Sequence, residues 1–180
     1  MKRQPLDLND YQSFVGEFHA ESDRSAIVLA GSFAEHFLAS YLRHYMIEDE
    51  GIERLFETGA LQSFDARINL SYALRLISKS HRDDLRVIKD IRNRFAHSPK
   101  LMTLKRDDIR QEIYKLSMWP IVLGEPPNPS ENQERHAYLL SIGMFVLFAH
   151  TQMQAPKGNL LSHDPISMVV KSETKIPLGP

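Results

Sequence analysis

Leu61-Gln62-Ser63-Phe64-Asp65-Ala66-Arg67-Ile68-Asn69-Leu70-Ser71-Tyr72-Ala73-Leu74-Arg75-Leu76-Ile77 is followed, after a short turn, by Asp84-Leu85, Ile88 and Ile91-Arg92-Asn93-Arg94-Phe95-Ala96-His97-Ser98. These two runs decide the fold. In the first, Ser63 stands where a helix needs a side-chain acceptor for its unpaired amides. Ile68, Tyr72 and Leu76, with Leu70, Leu74 and Ile77, recur three and four apart and predict one helix with a broad apolar face as far as Ile77. In the second, from about Arg82, Leu85, Ile88, Ile91, Phe95 and Ala96 predict another. It must stop near Ser98, because Pro99 disfavours helical geometry in the residue before it.

Outward from this pair, the same period continues. Asn9 or Asp10 can cap a helix carrying Tyr11, Phe14, Val15 and Phe18. Ser22 or Asp23 can cap a longer one through about Tyr45, striped by Ile27, Ala30, Ala34, Phe37, Leu38, Tyr41 and Tyr45. A short helix over Ile52 to Phe56 is expected to end at Gly59 as a left-handed stop. Asp107 and Asp108 place negative charge at the start of a helix with Ile109, Ile113, Leu116 and Met118. Pro120 and Pro126-Pro127-Asn128-Pro129 read as a stiff linker. The last helix, about Ser130 to Gln152, is apolar nearly all round between Tyr138 and Ala149, so it is buried in a core or pressed into a partner. The expectation is an all-α, compact bundle of about six to seven helices over residues 1–154, with an extended or flexible tail over 155–180.

The 180-residue chain is long enough for one substantial core, and its 42% apolar and 25% charged residues are ordinary globular values. A formal net charge of −1 gives no general attraction to nucleic acid or acidic membranes. With no cysteine, disulfides, thiolate zinc sites and thiol nucleophiles are excluded. His36 and His44 lie eight apart with no carboxylate between them on that face, so neither a metal nor any other cofactor is expected. Met1-Lys2-Arg3-Gln4-Pro5 has no apolar signal core, and the run from Ala137 to Ala149 is too short to span a bilayer. A cytoplasmic protein without membrane partners is the expectation.

The helix pair reading SF-x-x-RI-x-L-x-YAL-x-LI and then I-x-x-IRN-x-FAH resembles the mannitol operon repressor (MltR-like) family over roughly residues 55 to 100. Where that family often has leucine-glycine after the tyrosine, this chain has Leu74-Arg75. Arg92-Asn93-x-x-x-His97 is also similar to the RN-x-x-x-H signature of HEPN domains, which are helical and often dimeric. The first resemblance implies a regulator of transcription acting mainly through partner binding. The second implies a metal-independent endoribonuclease, a toxin or defence effector, using Arg92 and His97 across a dimer with Asn93 in support. Histidine can move the proton of a 2′-hydroxyl, and arginine can stabilise charge developing on phosphate.

Read on their own, these residues have plainer roles. Arg92 lies on the apolar stripe and needs a carboxylate, with Glu35 or Asp65 the candidates. Arg67 is expected to pair with a carboxylate rather than hold a ligand. His97 suits a helix C-terminus through the dipole alone. Arg92 and His97, five apart, stand about 140° apart on an ideal helix, so a joint site needs a second copy or a distorted last turn. From Lys79 to Arg106 nine cations (79, 82, 86, 89, 92, 94, 100, 105, 106) face three aspartates (83, 84, 90), which suits RNA or an acidic protein partner and equally a solvated face. No basic helix-turn-helix is recognisable, so sequence-specific DNA reading is poorly supported. The apolar last helix predicts a homodimer.

Overall fold

A computed structural model describes residues 21–98, 102–124 and 132–154. Among the described residues there are seven helices and no strand. In chain order they are α1 (Asp23–His44), α2 (Glu50–Glu57), α3 (Phe64–Ala73), α4 (Lys79–His97), α5 (Asp107–Ile113), α6 (Trp119–Gly124) and α7 (Gln133–Gln154). The helix expected from Asn9, the Pro126–Pro129 run and the tail from 155 lie outside the described residues.

α1 is the centre of the bundle, packed by α7, α4 and α3. Ser22 caps it through the amide of Ser25 (3.2 Å), and Arg43 and His44 sit in its last turn, as the helix dipole favours. It is long and apolar enough to cross a membrane by length and composition, yet 61% of that window is buried inside the bundle. Burial of Ile27, Phe37, Leu38 and Leu42 against Ile88, Ile91, Phe145 and Phe148 supplies the main hydrophobic driving force. Two buried tyrosines tie the layers through their hydroxyls. Tyr41 donates to the Leu76 carbonyl (2.9 Å), and Tyr138 reaches the carbonyls of Ile27 and Ile88, each at 3.3 Å. Burial pushes both phenols well above their ordinary pKa.

The central helix pair differs from the expectation at its joint. α3 ends at Ala73, not Ile77. Leu76 N–H bonds to the Ser71 carbonyl (2.9 Å) and Arg75 N–H to that of Tyr72 (3.0 Å), with Arg75 at φ 59°. This is a Schellman turn with arginine at its left-handed position, where glycine is the usual residue. Leu76 and Ile77 are buried beyond the turn, whereas Leu74 is exposed. The apolar spacing therefore ran straight across a chain reversal. α4 then begins at Lys79, earlier than Arg82, because Ser78 accepts the His81 amide (3.2 Å).

Three further boundaries are corrected. α2 stops at Glu57, and Gly59 is not left-handed; a Cβ there would lie 2.8 Å from the Leu55 backbone, so close packing requires the glycine. α5 ends at Ile113, leaving Leu116 and Met118 buried in the turns that follow. Pro120 lies in the first turn of α6 rather than in a linker, a position where its missing N–H is no loss. α7 begins at Gln133 and buries Tyr138, Ile142, Phe145, Val146 and Phe148 within this chain, leaving Leu147 exposed. Most of the apolar surface behind the dimer expectation is thus covered by the bundle itself.

Candidate functional site

The sequence-predicted residues fall into two groups with different surroundings. The first is an ion cluster where α1, α3 and α4 meet. Glu35 of α1 takes Arg67 of α3 through Nη1 (3.3 Å) and Arg92 of α4 through Nη2. All three side chains are largely withdrawn from water, at 20%, 12% and 18% exposure. Arg67 also donates to the carbonyls of Leu61 (2.7 Å) and Gln62 (2.9 Å), anchoring the loop between α2 and α3. Arg92 lies 5.9 Å from the Phe64 ring, and its Nε is buried without an acceptor.

Gly31 makes the cluster possible, and sequence reasoning passed over it. A Cβ there would lie 2.8 Å from Cβ and Cγ of Arg92 and 2.7 Å from the Tyr138 hydroxyl. Lacking one, α1 lets the Arg92 stem cross it one turn before Glu35. The only signal available was a glycine inside an apolar helix, which hints at close approach but not of what.

Asp65 stands apart from this cluster. It accepts from Lys89 Nζ (2.6 Å) and Asn69 (2.9 Å), and the bond from Lys89 is the main cause holding its carboxyl below the ordinary value. Of the two partners considered for Arg92, Glu35 is the one engaged.

The second group is the C-terminal end of α4. His97 is exposed and Asn93 half-buried, and neither makes a side-chain bond among the described residues. No bond joins Arg92 to His97. Arg24 of α1 donates to the Ala96 carbonyl (3.3 Å), satisfying one of the helix-end acceptors. The cations expected to form a positive face are largely neutralised. Lys79 and Arg82 share Asp83, Lys89 holds Asp65 and Asp90, and Arg94 and Arg106 meet at Asp108. Among the described residues no three of His, Asp and Glu are grouped to hold a metal ion.

Chemically, the first group is a clamp that joins three helices, and the second is an accessible imidazole on a helix end. No protein-family model, curated protein or solved structure matches the chain.

Proposed function

We propose that the protein is a cytoplasmic regulator of the mannitol-operon-repressor-like kind, acting by binding a protein partner rather than by cleaving RNA. One observation carries this reading: the Arg92 guanidinium is held by Glu35 at the junction of three helices, while His97 stands exposed at the helix end without a bond to it. Acid–base cleavage of RNA needs the histidine and the charge-stabilising arginine on one phosphate. An arginine whose release would leave Glu35 with Arg67 alone is poorly placed to serve a substrate. The surface around His97, with Arg24 beside it at the Ala96 carbonyl and Arg94 partly neutralised by Asp108, is the partner face in this reading. Self-association belongs to the same reading, supported by exposed Ile121 and Leu123 on α6 and Leu147 on the adjoining α7.

The test has two arms. Single-stranded RNA incubated with purified protein and a chelator stays intact. The protein co-purifies a partner from its native cell, and His97→Ala or Arg94→Glu releases it. Metal-independent cleavage that disappears in His97→Ala would instead establish the HEPN-type ribonuclease. Light scattering at micromolar concentration checks self-association, and a clean monomer removes it from the reading.

A further inference from the structure

The turn between α3 and α4 forms a hollow of about 560 Å³ that lies open to solvent, lined by Tyr72, Ala73, Arg75, Ile77, Ser78 and Lys79. That volume lies within the usual range for small-molecule sites. Its lining combines an aromatic ring with cations. Tyr72 is 38% exposed, and the Arg82 guanidinium lies 4.3 Å from its ring centroid. Arg82 and Lys79 share a single carboxylate, Asp83, at 2.8 and 3.2 Å. The Arg75 side chain has no hydrogen bond or ion pair among the described residues, its backbone N–H being held by the Tyr72 carbonyl. Two cations therefore share one carboxylate, Arg82 lies over one side of the partly exposed Tyr72 ring, and the Arg75 guanidinium is uncommitted.

The backbone adds a separate observation. Arg75 is the one non-glycine residue at positive φ among those described. Glycine would relieve this geometry, and side chains kept in unfavourable backbone regions concentrate where they act on a ligand. Arg75 at the left-handed position of the turn is one of the residues that line this space.

We propose that this corner hollow binds a phosphate-bearing small molecule of the mononucleotide class, its phosphate on Arg75 and Lys79 and its flat ring against Tyr72. Arginine suits the phosphate because its planar donors meet two oxygens at once. Tyr72 supplies the sequence-independent stacking that any base accepts. The site is separate from the His97 surface, so its fate is independent of the function proposed above.

The experiment is calorimetric titration of the full chain with adenosine monophosphate and, separately, inorganic phosphate. Saturable binding of both is expected, tighter for the nucleotide. Arg75→Gly, which eases the turn and so preserves the fold, weakens both by about tenfold or more, the loss of a charge-assisted hydrogen bond. Arg75→Lys keeps part of the affinity. Tyr72→Leu brings the nucleotide down to the affinity of phosphate while leaving phosphate unchanged. No saturable binding of either probe overturns the proposal, as does wild-type affinity in Arg75→Gly. Equal affinity for the two probes overturns the ring contact and with it the mononucleotide class.

Discussion

Arg92 and Arg75 are seventeen residues apart, yet the fold treats them in opposite ways. Arg92 is withdrawn from water, its stem laid across Gly31 and its head committed to a carboxylate it shares with Arg67. Arg75 is exposed, unpaired and carried by a backbone conformation that its own Cβ disfavours. A guanidinium of the first kind is placed by helix packing, and removing its partner leaves charge uncompensated in the interior. One of the second kind contributes nothing that holds the bundle together, and its conformation lowers stability. The difference shows how residue type alone misleads: the arginine of the RN-x-x-x-H pattern is a fastening, and the one in the turn before it is uncommitted.

The largest expected effect comes from breaking the fastening. Glu35→Ala leaves Arg67 and Arg92 facing each other without a carboxylate. Stability should fall by about 3 kcal/mol, the low end for removing one member of a buried pair, since the cluster keeps some contact with water. For a chain of this length that lowers the melting temperature by roughly 6–12 °C. A loss below about 1 kcal/mol in urea titration would place Arg92 among the ordinary surface cations and dissolve the contrast with Arg75.

Gly31→Ala tests the same junction by sterics. In an open helix interior the change should stabilise by about 1 kcal/mol. Here the added methyl meets the Arg92 stem and the Tyr138 hydroxyl. A net loss of about 1–2 kcal/mol is expected, typical of overpacking that neighbours only partly absorb. A gain in stability would mean that the three helices do not cross so closely.

Much of this architecture was legible beforehand. α1 was readable to within a residue because the Ser22 cap and the apolar stripe agree. Arg92 announced its need for a partner because a guanidinium on an apolar stripe has few other options. Which carboxylate would serve was not legible, because Glu35 and Asp65 both lay in plausible reach and the choice depends on how α1, α3 and α4 cross. The end of α3 was misread for a physical reason: Leu76 and Ile77 keep the helical spacing but are buried by a chain that has already reversed. The departure at Leu74-Arg75 marked the place, though nothing in it disclosed a hollow. Pro120 was misjudged because a proline that breaks a helix interior is equally suited to a first turn.

Arg75→Gly probes the other side of the comparison. Relieving a left-handed non-glycine residue should raise stability by about 1 kcal/mol, or roughly 2–4 °C in melting temperature. The gain is held below the full steric penalty by glycine's larger loss of freedom on folding. Loss of stability in Arg75→Gly would mean that the guanidinium fastens the turn after all, and the two arginines would then differ in degree only.

The smallest effect concerns Asp65, which lies beside the Glu35 cluster in sequence but behaves as a surface group. Its bond to Lys89 lowers its carboxyl pKa in the folded chain. A depressed folded pKa means that the unfolded state binds the proton more readily, so the stabilisation is present above the unfolded value near pH ~3.9 and fades as pH falls through the folded value below it. Asp65 is 48% exposed, so the pair contributes only a few tenths of a kcal/mol. Comparing wild type with Asp65→Asn by urea titration should therefore show a small, constant difference from pH 5 to 8 that shrinks below about pH 4. The same difference vanishes in 1 M salt, where charges a few ångströms apart at the surface are screened, whereas the deficit of Glu35→Ala persists. If salt erased both deficits alike, Glu35 would be no more interior than Asp65, and Arg92 would lose the burial that sets it apart from Arg75.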